Sequence, residues 1–535
     1  MRKIASLLAV LLLFCGVALA QTRTVKGIVR DPNGSPVPFA TITEAGTSNA
    51  TKADADGSFT ISVPTNARLT ISASGFTTQT VSAGDAATVT LAVNQQQLQE
   101  VVVTALGITR AERSLGYTTS QLKSAEITKA RETNVVNSLA GKVSGVRITS
   151  QSGTLGGSSK IIIRGQSSFA DAAGGQPIFV IDGLPVDNQS QQLATAPSAV
   201  PQGTAGVDFG NRAGDINADD VESITVLKGA AATALYGARA KNGAIIITTK
   251  KGKRGSNVVR FNSSVRFDTP LRLPDYQNEY AQGQYGAYAV NSTNGWGPKI
   301  SAVQDLKFPN FLNQQVTLQA YPDNVKDFYK VGHTYINSLA FEGGGESGDF
   351  RLGYTNTYQD GIVEKESLMR NNLSLNAGRT ISQKINVRTS INYVNTVGKN
   401  RPIQSSNNSS SLTQIVNFMP RTVDVDALKA NYIDSTGAQI NLVPNKTGNN
   451  PYWVIYNNTS ENRVDRVYGN VVLSYKPFNW LTISDNIGAD FYNEFRKLVV
   501  RPGTAGALQG NFFQANIFSR ILNNDFMATA EKQIN

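Results

Sequence analysis

From residue 258 onward, apolar and polar side chains alternate one by one in long runs. Val259, Phe261, Val265 and Phe267 are interleaved with Arg260, Asn262, Ser264 and Arg266. The pattern returns at Tyr335, Leu339 and Phe341 and, beyond Gly343-Gly344-Gly345, at Phe350, Leu352, Tyr354 and Tyr358. It recurs at Leu373, Leu375 and Ala377, at Ile385, Val387, Ile391 and Tyr393, and at Val467, Val471, Leu473 and Tyr475. Beyond Pro477 it resumes with Leu481, Ile483, Ile487 and Phe491, and Phe526 and Ala528 belong to a last run. A period of two predicts strands with one apolar and one polar face. The runs span about 10 residues or more, against about 5–6 in soluble sheets. Some joints are short, whereas others, such as 398–462, are very long. Long two-faced strands with short turns at one end and long loops at the other predict an outer-membrane β-barrel, with about eight strands here. A soluble sandwich is the competing reading, and strand length weighs against it.

The pattern before residue 258 differs. Thr24 to Arg30 alternates and stops at the turn Asp31-Pro32-Asn33-Gly34. Short strands follow at Phe39–Glu44, at Phe59, Ile61 and Val63 after the turn Asp54-Ala55-Asp56-Gly57, at Leu69, Ile71 and Ala73, and at Val89–Val93. This spacing predicts a small β-sandwich over 22–95. Asn94 to Gln97 is a polar linker, and Leu98 to Ala105 is an extended apolar stretch that composition alone would assign to the sandwich. Residues 112–250 read as mixed α/β. Helix is expected at Asn134–Leu139, Asp219–Ser223 and Gly229–Tyr236, and strands at Val146–Ile148, Ile161–Ile163, Ile178–Ile181, Ile224–Leu227 and Ile245–Thr249.

Composition supports a turn-rich β chain. Charged residues are 17% of 535 and glycines number 47, where about 25% charge is usual in soluble proteins. The net charge of +11 is spread along the chain apart from Lys250, Lys251, Lys253 and Arg254, a cluster read as a solvated loop. No base-reading or stacking groups accompany it, so nucleic acid is not an expected partner. Met1 to Ala20 has the charged start, apolar Leu7–Leu13 core and Ala18-Leu19-Ala20 ending of a secretory signal peptide, with cleavage between Ala20 and Gln21. Cys15 is the only cysteine, so the mature chain has no disulfide. No other segment is long and apolar enough to be a membrane helix.

Enzyme chemistry finds little support. With one histidine, His333, and no mature cysteine, zinc sets and Cys–His pairs are excluded, and any Ser-His-Asp triad would rest on His333 alone. Asp54 and Asp56 lack the glutamate that completes a calcium loop. Gly153–Lys160 lacks the Gly-Lys-Ser/Thr order of a phosphate loop. Neither a metal nor a cofactor is expected.

Two resemblances organise these segments. Val25-Lys26-Gly27-Ile28-Val29, Pro36-Val37-Pro38-Phe39-Ala40 and Asp56-Gly57-Ser58-Phe59 resemble a carboxypeptidase-regulatory-type domain, which carries no peptidase chemistry. Leu98–Gly107, Asn134–Val146, Ile161–Gly165, Val180–Pro185, Asp215–Gly229 and Ala234–Lys250 resemble, in order, the TonB-box and plug segments of SusC/RagA-type TonB-linked outer-membrane transporters. The resemblance covers essentially the whole chain. It implies a mainly β fold: an N-terminal Ig-like β-sandwich (22–95), a TonB-box region (98–107), an α/β plug (112–250) and the first strands of a transmembrane antiparallel β-barrel (258–535), which closes with about 22 strands in the family.

The resemblance also implies a TonB box at Glu100, Val101, Val102, Val103, Thr104 and Ala105. It gives a structural role to the plug residues Arg164, Gly165, Asp182, Gly183, Lys228, Gly229, Tyr236, Gly237, Asn242 and Gly243. The expected partners are TonB with ExbB and ExbD in the inner membrane, a SusD-like surface lipoprotein, outer-membrane lipid, and a bulky nutrient, with glycan ahead of oligopeptide. The sandwich and TonB box are expected in the periplasm. Eight strands make a barrel whose interior side chains fill, so the chain is expected to be part of a longer one. Tyr285, Trp296 and Trp453 fall in loops, where sugar stacking and loop packing are both open. A surface adhesion protein without transport is the alternative reading.

Overall fold

The computed structural model describes residues 22–92, 101–103, 109–111, 119–165, 175–188, 206–404, 410–444 and 448–531, apart from 33, 48, 74, 75 and 130. The Met1–Ala20 leader, Gln21, the 94–97 linker, Glu100, Thr104 and Ala105 lie outside them. The chain divides into two compact units, the first ending at Val101.

The first unit is a seven-stranded sandwich. One sheet runs Ser58–Pro64, Thr22–Arg30, Thr88–Thr90, and the other Ala50–Lys52, Thr41–Glu44, Arg68–Ser72, Gln79–Ser82. Alternate residues from both sheets point inward, so Val25, Val29, Ile42, Phe59, Ile61, Val63, Leu69 and Ile71 form one buried core. Gly27 is where the backbones approach most closely: a Cβ there would run into the Ala86 carbonyl and the Phe59 ring.

The second unit begins with a mixed five-stranded sheet in the order Thr119–Lys123, Val221–Leu227, Ala244–Thr249, Ile178–Ile181, Leu184–Val186. Only the Ile178–Ile181 and Ala244–Thr249 pair is parallel. Its side chains, with Leu122, Val135, Val136, Leu139 and Ile161 around it, make an apolar core. Two helix expectations change. Val135–Leu139 is a 3-10 turn capped by the Asn134 side chain. Asp219–Ser223 is not helical: a 3-10 turn covers Ala218–Asp220 and strand begins at Val221. Val221, Ile224, Val226 and Leu227 are all buried in the sheet, and that burial decides the conformation. The Ala-rich helix runs Ala230–Tyr236.

Around this core wraps an eight-stranded antiparallel meander: Asn257–Asp268, Gly332–Gly344, Gly348–Asp360, Ser367–Ser382, Ile385–Lys399, Thr459–Phe478, Leu481–Val500 and Asn511–Ala530. Among the described residues the first strand pairs only with the second, and the last only with the seventh. The final strand is 20 residues long, well beyond the run visible at Phe526 and Ala528. Phe513, Ile517 and Ile521 occupy the face opposite Phe512, Phe518 and Leu522, which blurs the alternation in sequence.

Polarity is inverted relative to a soluble protein. The buried face of the wall carries Arg351, Thr355, Asn372, Asn376, Asn392, Arg466, Asn470 and Asp490, while Tyr354, Leu373, Leu375, Ile391 and Val471 are exposed on the other. Phe518 and Phe526 are each 70% exposed. An apolar belt outside a polar interior requires a surrounding medium that is itself apolar. Among the described residues no helix is long and apolar enough to cross a membrane.

One end of the wall has the short turns 345–347, 383–384 and 479–480, and the other the long joints 269–331, 400–458 and 501–510. The long joints are folded. Helices Asn324–Phe328, Leu412–Asn417, Val425–Ala430 and Pro451–Asn457 bury Phe328, Leu412, Val416, Leu428, Tyr452 and Trp453 in a second apolar core. Asn324 Nδ2 joins them by donating to the Pro420 and Val423 carbonyls at 2.9 and 3.1 Å.

Gly27→Val should unfold the sandwich while leaving the second unit intact. Limited proteolysis checks this, with cleavage expected within residues 22–92 and protection retained beyond residue 119.

Candidate functional site

The functional geometry lies where the plug meets the inner face of the wall. Arg466 and Asp490 occupy inward positions on the sixth and seventh wall strands, and both side chains are buried. The Arg466 guanidinium donates from Nε and Nη2 to the two Asp490 oxygens at 2.8 Å each. Its remaining donors go to the plug: Nη1 to the Arg212 carbonyl at 2.8 Å and Asp215 Oδ2 at 3.1 Å, and Nη2 to the Asp187 carbonyl at 3.1 Å. All five N–H groups of a guanidinium are thereby satisfied. Asp490 Oδ2 also accepts the Asp187 N–H at 2.9 Å, and Tyr492 donates its hydroxyl to Asp187 Oδ2 at 2.8 Å.

The segment from Asp215 to Asp220 carries most of this contact. Asn372 Nδ2 donates to the Asp215 carbonyl at 2.9 Å, Asn217 Nδ2 donates to Thr355 Oγ1 at 2.9 Å, and Asp220 pairs with Arg351 at 2.6 Å. Arg351 is also 3.3 Å from Glu342. Within the plug, Asp219 pairs with Arg131 at 3.3 Å. The segment's resemblance to plug sequences was visible in the chain, but Asp215 and Asp220 meet their wall partners across 251 and 131 positions.

On the long-loop side, plug loop 150–157 is held in the same way. Arg401 Nη1 donates to the Leu155 and Asp208 carbonyls at 2.6 and 3.1 Å, and Glu366 Oε1 accepts the Leu155 N–H at 3.0 Å. Burial pushes the Glu366 carboxyl up to about 7, against the lowering pull of the Leu155 N–H. Asp208 accepts from Ser152, Ser158 and Gly210, and these bonds keep its carboxyl below the ordinary value although burial opposes them. Between this loop and the wall lies a cavity of about 340 Å³ whose lining includes Asn134, Ser150, Ser152, Arg266, Gln359 and Glu366. Gln359 is buried and its Oε1 has no hydrogen-bond partner among the described residues.

The plug-motif residues fall mostly at turns. Asp182-Gly183 closes a two-residue hairpin with φ of 48° and 90°, a combination that an Asp-Gly pair accommodates. Asp182 also accepts the Thr249 N–H at 3.0 Å and the Ser390 hydroxyl at 3.1 Å, tying the hairpin to the wall. Arg164 and Gly165 follow a strand with positive φ, and Gly229 and Gly237 flank the helix. At Gly243 a Cβ would collide with Ile163 and the Leu227 carbonyl. Lys228 Nζ donates to Ser144 Oγ at 3.2 Å, Tyr236 packs beside Val180 and Leu227, and Asn242 sits half-buried before Gly243. Of the TonB-box stretch, Val101–Val103 is a short strand paired with Thr109–Ala111.

Three further placements matter. Trp453 is buried in the loop core with Nε1 donating to Thr504 at 2.9 Å, so sugar stacking on it is ruled out. Tyr285 and Trp296 are exposed. His333 lies inside the second wall strand with Nδ1 3.3 Å from Asp360. The residues that sequence reasoning missed are Arg351, Arg466 and Asp490 on the wall strands and Arg401 in the 400–458 joint. For the three on the strands the available signal was charge at the inward positions of the alternation.

A polar-lined wall of two-faced strands, bonded internally to a separate α/β core, defines the plugged outer-membrane β-barrel receptors. The comparisons with known proteins agree. Residues 111–244 match the TonB-dependent Receptor Plug Domain and residues 24–104 the Carboxypeptidase regulatory-like domain. TonB-dependent receptor SusC of Bacteroides thetaiotaomicron is 33% identical over 385 residues, 72% of this chain and 35% of that one. TonB-dependent receptor P3 of Formosa agariphila is 25% identical over 98% of this chain and 48% of its own length. The RagAB peptide importer in its closed-closed state shares the fold, with TM-score 0.56 at 18% identity over 79% of this chain and 46% of that one. In the region it spans, the chain belongs to the SusC/RagA-type TonB-dependent receptors, which are outer-membrane proteins and not enzymes. It covers about half, or less, of the length of these relatives.

Arg466→Ala should cost about 3–5 kcal/mol, because it leaves buried carboxylates uncompensated. Urea midpoints check this, and Arg466→Ala/Asp490→Ala should cost less than the sum of the single changes. Glu366 supplies a pH signature. Its folded value of about 7 lies above the ordinary 4.5, so its contribution is fully present below 4.5 and is lost as pH rises through 7. The melting temperature of the native protein should fall between pH 5 and pH 8 by more than that of Glu366→Gln.

Proposed function

We propose that this protein imports a bulky nutrient across the outer membrane, an oligosaccharide first and an oligopeptide second, with plug displacement driven by TonB. The carrying observation is the plug held inside the wall by a buried but polar network centred on Arg466. A plug fixed by hydrogen bonds and ion pairs can be released into a wet lumen, because water replaces each broken bond. An adhesin has no use for such an arrangement.

In this reading, Glu100–Ala105 is the TonB box. Its Val101–Val103 part is already extended, the backbone state that TonB would capture by strand addition. The outer membrane has no nucleotide energy source, so the work comes through TonB with ExbB and ExbD. The short turns and the sandwich face the periplasm, and the folded long joints face outward. There a SusD-like lipoprotein would cap the barrel. Substrate would enter above the cavity at plug loop 150–157, where amide, hydroxyl and carboxyl groups, including the unpartnered Gln359 Oε1, suit a hydroxyl-rich ligand. The oligopeptide reading rests on the fold shared with the RagAB peptide importer.

Val102→Pro, which removes an N–H from the box and disfavours strand pairing, should abolish energised uptake while leaving surface binding of labelled oligosaccharide unchanged. Accumulation assays in intact cells separate the two. Surface binding with no uptake that depends on TonB would leave adhesion as the better reading.

A further inference from the structure

The plug does not fill the wall evenly. Toward the short-turn end, a cavity of about 310 Å³ separates the Asp182-Gly183 hairpin and the strand Ala244–Thr249 from the inner face of the fourth to eighth wall strands. The strand side is firmly held. Just past Thr249, Lys250 Nζ donates to the Asp219 carbonyl at 2.8 Å, so this lysine is bound to the plug rather than solvated. The hairpin side is held more lightly. Asp182 accepts the Ser390 hydroxyl at 3.1 Å, and its carbonyl accepts Asn470 Nδ2 at 3.0 Å. Both of these wall donors are neutral, whereas the 215–220 segment is gripped by Arg351 and Arg466. Bonds from neutral donors are the cheaper ones to exchange for water. The cavity is therefore roofed by the part of the plug that yields most easily.

Amides and hydroxyls dominate the lining. Asn376, Asn470 and Asn486 face it, and Ser474 and Ser484 are direct cross-strand neighbours. Asn376 is 1% exposed, and its Oδ1 accepts the Thr249 hydroxyl at 3.3 Å. Its Nδ2 has no hydrogen-bond partner among the described residues. A buried amide donor left without an acceptor is costly, so the acceptor has to come from whatever occupies the cavity. Ile246, Val472 and Met527 place apolar surface between the polar groups. The charges in the lining are mostly engaged: Arg388 lies 2.8 and 3.1 Å from the Asp349 oxygens, Asp182 accepts the Thr249 N–H at 3.0 Å, and Asp525 accepts from Asn523.

We propose that this cavity is a second subsite, on the periplasmic side of the plug, for a short stretch of neutral oligosaccharide leaving past the Asp182-Gly183 hairpin. Side chains that both donate and accept match sugar hydroxyls, and the apolar patches match the C–H faces of the rings. The charged side chains and termini of a peptide would find few free partners here. Ligand pockets span roughly 300–1,000 Å³, and this one is at the lower end, so it holds part of a chain rather than a bulky nutrient whole. The inference rests on the oligosaccharide import reading and adds a site distinct from the outward cavity at plug loop 150–157.

Residues 21–535 contain no cysteine, so Ser484→Cys places a thiol in the cavity of the full-length receptor. Its alkylation by iodoacetamide is followed on that peptide by mass spectrometry, with purified receptor and malto-, xylo- or manno-oligosaccharides. At least one sugar series should slow alkylation about tenfold when present at about ten times its Kd, and casein peptides should not. Ser474→Trp, which fills the cavity, should lower energised oligosaccharide uptake at least about tenfold while leaving surface binding and the urea midpoint unchanged. Val471→Trp, on the opposite face of the same strand, should leave uptake as it is. No protection by any of the sugars, protection by the peptides instead, or native uptake in Ser474→Trp would overturn the proposal. Alkylation needs no TonB. Sugar protection combined with an absence of TonB-dependent uptake would therefore sink the import reading alone.

Discussion

A guanidinium with no solvent exposure survives inside a protein only when each of its N–H groups meets an acceptor and its charge meets a carboxylate. Arg466 satisfies both conditions, and it does so with groups from both structural parts of the second unit. Asp490 comes from the wall, and Asp215, with the carbonyls of Arg212 and Asp187, from the plug. Each part holds a pair of its own, Arg466 with Asp490 in the wall and Arg212 with Asp215 in the plug, and the Arg466–Asp215 contact joins the two pairs. The plug's position in the wall is therefore set by charge pairing together with apolar packing, since Val394 and Tyr468 of the wall join the plug's core.

The same constraint explains the inverted polarity of the sheet. Residues on its buried face must bond to something, and for Thr355, Asn372, Ser390 and Asn470 that partner is plug backbone or side chain. The outer face has no such requirement because its surroundings are apolar, so Leu373, Leu375 and Ile391 can project freely. Such an interface is strong while dry, yet each of its bonds can be exchanged for water. An apolar core of equal area would hold the plug just as firmly but could not be opened stepwise by a pull at one end.

The two ends of the wall do different work. The long joints fold into a layer of their own around Trp453, and Glu366, in the shorter 361–366 joint at the same end, reaches down to the plug backbone. The short-turn rim carries a belt of cations and stacked aromatics.

Much of this was legible along the chain, and some was not. A strand periodicity of two is a local property, so the wall strands and their apolar face could be read directly, as could the Asp-Gly and Gly-centred turns of the plug. The order of the plug segments carried the family resemblance. The last wall strand was largely hidden, because apolar residues occupy both of its faces. Asp219–Ser223 reads as helix from its acids and becomes turn and strand because Val221 and Ile224 are needed in a buried sheet. Trp453 looks like a loop aromatic and is a core residue, since the loop that holds it folds. The partners of Asp215, Asp220 and Leu155 lie 251, 131 and 246 residues away. Sequence determined which residues are polar and which strands they ride on. Only the tertiary structure decided which charges meet, because pairing depends on distances that close when the wall curves around the plug.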